Sequence, residues 1–172
     1  MKPEMKARIS ADIASFRLPR YSEIPSVGLY LEQACKYMGE FLTPLGDYAL
    51  TPSMVSNYVK RHLIDSPVKK QYSRDQIAYL IFIAVCKSVL SLDGLAAFIR
   101  IQQQTYSLPK TYDYFVEEFE SLLRFTFELT DTVDMFPENG SDEKRLLYTC
   151  IIAAVQKVYL ETYLEALTEE NK

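Results

Sequence analysis

Residues 50–74 hold the side chains best suited by type and spacing to contact a charged partner. The segment has five basic residues and one acidic residue, although the whole chain has a formal net charge of −4. The basic residues are Lys60, Arg61, Lys69, Lys70 and Arg74. Three polar side chains precede them: Ser53, Ser56 and Asn57. Asparagine can form a bidentate pair with adenine, serine can bond several bases, and cations neutralise phosphate, so the segment has the composition of a DNA-contacting surface.

The sequence contains no pattern typical of an enzyme or of a cofactor site. Its five glycines are too scattered for a phosphate-binding loop, and neither Gly-x-Ser-x-Gly nor His-Glu-x-x-His occurs. The single histidine, His62, lies at a predicted helix end, where it suits carbonyl groups better than proton transfer. Cys35, Cys86 and Cys150 each lie in an apolar helical pattern and are expected to be reduced core thiols. We therefore predict no catalytic residue, no metal and no cofactor.

Two predicted elements position the polar and basic side chains. Thr51 and Pro52 are a helix start signal, and the helix they open, 53–62, has apolar residues on one side only. Pro67 then begins an extended segment, 67–72, which has the size of a wing. Ser73 caps a further helix, too apolar to be exposed, and Ser91 caps another.

Four groups of residues in this order resemble a known DNA-binding domain. They are Tyr58 with Leu63-Ile64; Lys70-Gln71-Tyr72; Asp75 with Ile77 and Leu80; and Ser91-Leu92-Asp93-Gly94-Leu95. Together they resemble the N-terminal winged helix-turn-helix of the MerR-type regulators. From Arg17 onwards, the chain also resembles a bacterial domain-of-unknown-function family in which this winged unit is embedded in a larger helical domain. Two positions depart from the MerR pattern, since Ser56 replaces an arginine and His62 a glycine.

The MerR resemblance implies how the chain would bind double-stranded DNA. Helix 53–62 would enter the major groove, with Ser53, Ser56 and Asn57 at base edges. Lys69, Lys70 and Tyr72 of the wing would contact phosphate or the adjacent minor groove. The remaining cations, Lys60, Arg61 and Arg74, would hold the backbone. A transcriptional regulator of this kind usually binds as a dimer.

The rest of the chain is predicted to be helical. We expect a mainly α protein with an N-terminal helix and connector at 1–20, the winged domain at 21–104 and an antiparallel helical hairpin at 105–172. A helix is expected to start at Ser26, and a turn at 137–140 to join the two hairpin helices, of which the second is capped by Ser141. The hairpin is the predicted dimerisation or effector region, although no residue names an effector. With no apolar run of about 20 residues and no signal peptide, we expect a cytoplasmic protein without membrane contact.

A second function stays open beside DNA binding. The chain could be a helical protein–protein interaction module that has lost DNA contact, and Ser56 in place of the arginine favours this alternative. A continuous positive surface joining helix 53–62 to the wing would favour DNA. An apolar surface, or one broken by acidic residues, would favour a protein partner.

Overall fold

The computed structural model describes residues 2–133 and 140–170. Within these residues there are seven helices and two short strands. In chain order they are α1 (Pro3–Ser15), β1 (Leu29–Tyr30), α2 (Leu31–Leu42), α3 (Pro52–Lys60), β2 (Gln71–Tyr72), α4 (Arg74–Cys86), α5 (Leu92–Thr105), α6 (Leu108–Thr126) and α7 (Asp142–Glu170). Single 3-10 turns follow the connector at Tyr21–Glu23 and follow α2 at Thr43–Leu45. The prediction of a mainly helical fold is confirmed.

Side-chain caps begin the helices of the central segment where the sequence predicts them. The Thr51 hydroxyl accepts a hydrogen bond from the Met54 amide at 3.2 Å and opens α3. Ser73 opens α4 through a reciprocal pair of bonds with Gln76, the capping box. The Ser91 hydroxyl accepts from the Gly94 amide at 3.1 Å and opens α5. These caps satisfy amides that have no partner within their own helix.

The small sheet ties α2 to the segment before α4. β1 and β2 are antiparallel, with Leu29 opposite Tyr72 and Tyr30 opposite Gln71. The predicted helix start at Ser26 is therefore wrong, because the backbone of residues 29–30 is extended to pair with β2. A Cβ at Gly28 would lie 2.9 Å from the Gln71 Cβ, so only glycine allows the two segments to approach this closely.

The connector after α1 is fixed to α6. The buried Leu18 amide donates to the Glu120 carboxylate at 2.8 Å, and the Tyr112 hydroxyl donates to the Pro19 carbonyl at 3.0 Å. Arg20 donates to the other oxygen of the Glu120 carboxylate at 3.2 Å. The connector that the sequence predicts after α1 has an extended backbone, and its Arg20 pairs with the buried Glu120.

α6 and α7 run in the same direction, so the predicted antiparallel hairpin is wrong. Near the beginning of both helices, the Lys144 ammonium lies 4.7 Å from the centre of the Tyr114 ring. At the end of α6, the Phe127 ring lies 5.1 Å from that of Tyr159, far along α7. The 19-residue α6 is about 28 Å long, and the fifteen residues between the helices can span up to about 50 Å, enough to return to its start. Most of the predicted turn at 137–140 lies outside the described residues.

One contiguous core joins the elements. α4 is its centre, because nearly every side chain from Ile77 to Cys86 is buried. Its helical neighbours include α2, α6 and α7. The buried side chains of α1, the α3 segment and α5 belong to the same cluster. Of the described helices, none has both the length and the apolar content needed to cross a bilayer.

Candidate nucleic-acid interface

α3 divides into a buried side and a polar side, as its sequence predicts. Val55 and Tyr58 are buried in the core. Ser53 and Asn57 are exposed, and Ser56 is partly exposed. The three side chains predicted to contact base edges are therefore open to a partner. Their helix is held from behind by apolar packing.

The chain leaves α3 through a Schellman motif with a non-glycine residue in the left-handed conformation. The His62 amide donates to the Val59 carbonyl at 3.0 Å, and the Leu63 amide donates to the Tyr58 carbonyl at 2.9 Å. His62 has a φ of 54° and an exposed side chain. Leu63 and Ile64 then enter the core and anchor the segment that leads from α3 to the wing. The exposed cations Lys60 and Arg61 lie at this helix end.

The wing is a tight hairpin with two lysines at its tip. Val68 and Gln71 form an antiparallel bridge, and the Gln71 amide donates to the Val68 carbonyl at 2.9 Å. Between them, Lys69 and Lys70 have φ values of 51° and 65° and are both exposed. Positive φ at both central residues is the signature of a type I′ turn, which favours Asn-Gly. Two lysines occupy these positions despite the strain.

Tyr72 is buried and Arg74 is only partly exposed, so these two predicted contacts are less accessible than the others. Tyr72 is only 4% exposed, because it pairs with Leu29 and faces the core, and burial raises the pKa of its phenol. The Arg74 side chain donates from Nε to the Ile24 carbonyl at 2.8 Å, and its guanidinium lies 5.4 Å from the centre of the Tyr21 ring. Tyr72 packs the small sheet on the core. Arg74 joins the segment 21–24 to the start of α4. That Tyr72 and Arg74 contact DNA stays a prediction.

Among the described residues, no acidic side chain pairs with the cations of α3 and the wing. In residues 2–133 and 140–170, every ion pair lies outside the segment 50–74; the pairs instead join side chains of α1, the connector, α6, α7 and Glu128. Four exposed cations are therefore open to an acidic partner: Lys60, Arg61, Lys69 and Lys70. The connection between α3 and the wing also contains the exposed Asp65, whose backbone carbonyl accepts a hydrogen bond from the side-chain Nε2 of Gln76 at 2.8 Å.

The family model described as Domain of unknown function (DUF1836) matches residues 19–115, more than half of the chain. The chain belongs to this family. The matched DUF1836 region runs from the connector into α6 and includes α3, the wing and α4. No curated protein and no solved structure matches the chain.

The DUF1836 domain also exposes apolar side chains beside the wing, which sequence reasoning missed. Val68 is 75% exposed and Tyr30 is 52% exposed. Both are paired with Gln71, from its two sides, so the three side chains lie on one face of the small sheet. Val27 is exposed just before β1. A two-residue strand is too short for alternation to reveal this face.

Proposed function

We propose that this DUF1836 protein binds double-stranded DNA through α3 and the wing, as a sequence-specific transcriptional regulator. The observation that carries the proposal is the tip of the wing. Lys69 and Lys70 occupy two strained positions that Asn-Gly would fill more comfortably, and both are exposed without an ion pair among the described residues. Strained residues that persist on a surface are a motive for a functional hypothesis.

The order of elements supports a winged helix-turn-helix of the MerR type. α2 packs against α3, the wing follows α3, and β2 returns from the wing to pair with β1. In this proposal α2 supports α3 in the major groove. Ser53, Ser56 and Asn57 contact base edges, and Lys60 and Arg61 hold the phosphate backbone. The wing contributes Lys69 and Lys70 only.

A homodimer follows from this proposal, because helix-turn-helix domains usually bind two half-sites one helical turn apart. α7 carries exposed apolar side chains at Ile152, Leu160 and Leu164. Their spacing of eight and four residues places them on one side of the helix. We propose this side as the contact between two copies of the chain.

The test is selection of genomic DNA fragments, including the region upstream of the protein's own gene, at two salt concentrations. The variant Lys69→Gln/Lys70→Gln removes both wing charges and leaves the side-chain length similar. Lys6→Gln/Lys157→Gln is the control for the loss of two charges outside α3 and the wing, and it also removes the ion pairs with Glu128 and Glu161. We expect selective retention that weakens with salt and weakens further in the wing variant only. Failure to retain any fragment at low salt would refute the proposal.

A protein partner is the second candidate function, and the exposed apolar face of the small sheet favours it. Val68 lies in the wing and pairs with Gln71, as Tyr30 does, and the exposed Asp65 lies in the connection between α3 and the wing. If no DNA is retained, substitution of Tyr30 and Val68 by serine tests this alternative. A partner captured by the unmodified chain should then be lost.

A further inference from the structure

A small cavity lies where α5 ends and where α6 and α7 begin. Its volume is 170 Å³, and its lining includes Gln102, Tyr106, Lys110, Tyr114 and Lys144. The parallel arrangement of α6 and α7 creates it, because this arrangement brings the first turns of both helices to the end of α5. The combination of an amide, two aromatic rings and two cations is more polar than core packing requires.

The amide of Gln102 is buried with one of its polar atoms unsatisfied. Gln102 is 6% exposed, and its Nε2 donates to the Glu143 carbonyl at 2.8 Å. This bond fixes the orientation of the amide, since the carbonyl oxygen could not occupy the same position. Its Oε1 is inaccessible to solvent and accepts no hydrogen bond from the described residues. Buried acceptors normally have a donor, so Gln102 indicates a missing partner with an N–H or O–H group.

Two ammonium groups lie over the aromatic rings of the cavity. The Lys110 nitrogen is 5.5 Å from the centre of the Tyr106 ring, and the Lys144 nitrogen is 4.7 Å from that of Tyr114. Neither lysine forms an ion pair with a carboxylate in the part of the chain that the structure describes. The rings therefore hold two cations at the cavity, and no carboxylate of the described residues pairs with either of them.

An apolar slit adjoins the cavity and shares Gln102 with it. The slit has a volume of only 30 Å³ and is lined by the rings of Phe82, Phe98 and Phe115. Gln102 thus separates a polar mouth from an apolar interior. An occupant of both spaces would be amphipathic, with its polar groups towards Gln102 and the lysines.

We propose that this cavity binds a small aromatic carboxylate that carries a hydroxyl or amino group. The carboxylate would lie between the ammonium groups of Lys110 and Lys144, and the ring would pack against the tyrosines. The hydroxyl or amino group would donate to Gln102 Oε1 after displacing the side chains that now cover this oxygen. At about 30 Å³ per water, the cavity has the room of five or six waters, which suits one substituted ring. This inference does not depend on DNA binding.

The first test is calorimetric titration of the full chain with the ortho, meta and para isomers of hydroxybenzoate and aminobenzoate. Benzoate lacks the donor, and the hydroxybenzyl and aminobenzyl alcohols lack the charge. We expect one isomer to bind saturably with one site per chain, and its two truncated analogues to bind about tenfold more weakly or worse. Absence of saturable binding by every isomer would overturn the proposal, as would equal affinity for the matching benzyl alcohol.

The second test places the ligand in this cavity. Lys110→Gln/Lys144→Gln should weaken binding of the best isomer about tenfold, because a charge-assisted contact is lost. The control Lys6→Gln/Lys157→Gln should bind like the unmodified chain. Both lysines lie at the surface edge of the cavity, and circular dichroism of each variant confirms that it is folded. Unchanged affinity in the folded Lys110→Gln/Lys144→Gln variant would contradict this site.

Discussion

The wing tip allows charge and backbone strain to be separated in one experiment. Replacing Lys69-Lys70 by Asn-Gly places the preferred residues of a type I′ turn at φ values of 51° and 65°. A non-glycine residue in this conformation lowers the free energy of unfolding by about 1–2 kcal/mol. Glycine avoids this strain, but it lowers the free energy of unfolding by about 0.5–1 kcal/mol because it has more conformational freedom in the unfolded chain. The net result should be an increase of about 1 kcal/mol in the free energy of unfolding, since asparagine also tolerates the left-handed region.

The same substitution should weaken DNA binding. If Lys69 and Lys70 contact phosphate as proposed, their loss makes the negative slope of log affinity against log salt less steep by about 2. Urea unfolding followed by circular dichroism measures the first effect, and salt-dependent binding to the selected DNA fragment measures the second. Lys69→Gln/Lys70→Gln is the control, because it removes the charges but keeps both strained positions. It should lose DNA binding to the same extent while its stability stays within about 0.5 kcal/mol of the original.

The free energy of unfolding and the salt dependence of DNA binding test two separate claims. If the Asn-Gly variant is no more stable than the Gln-Gln variant, the argument from turn strain is wrong. If the Gln-Gln variant keeps the original salt slope, the wing lysines do not contact phosphate, whatever else binds DNA.

Three further predictions concern stability. His62→Gly should raise the free energy of unfolding by about 1 kcal/mol in chemical denaturation, because His62 holds a left-handed position at the end of α3. Glu120→Ala should lower it by about 3–5 kcal/mol, since Arg20 and the buried Leu18 amide lose their acceptor, whereas Glu120→Gln should cost less; equal losses would contradict the role of the charge. Burial raises the pKa of the Tyr48 phenol from 10.0 to about 12. The contribution of the neutral phenol to the free energy of unfolding is therefore complete below pH 10 and is lost as the pH rises towards 12. Unfolding of Tyr48→Phe should therefore show a weaker alkaline pH dependence.

The starts of α3, α4 and α5 could be predicted from the sequence because their signals are local. Thr51, Ser73 and Ser91 each cap a helix through a hydroxyl that accepts from an amide three residues later. Such a bond needs only the residue type and its position before an apolar pattern. The division of α3 into a core side and an exposed polar side follows from its periodicity in the same way.

Pairing between distant segments could not be predicted this way. The residues of β1 continue the apolar spacing of α2, and only their pairing with Gln71 and Tyr72 makes them extended. The apolar stripes of α6 and α7 show that each helix is buried, but a stripe carries no information about the direction of the partner helix. The length of the connection, residues 127–141, permits either direction. The cavity lined by Gln102 requires the parallel arrangement of α6 and α7, so it could not be predicted from the sequence either.

The alternation of side chains along β2 explains why only part of the predicted site is accessible. Side chains alternate between the two faces of a strand, so neighbouring residues of β2 face opposite ways. Gln71 lies opposite the exposed Tyr30, and Tyr72 lies opposite Leu29 and is buried. With this register, a contact by Tyr72 would require β2 to slip by one residue, which would expose its ring and bury Gln71 instead. Any partner of the wing is therefore contacted by its lysine tip and by the Tyr30 face, and the tyrosine that completes the family resemblance stabilises the hairpin from within the core.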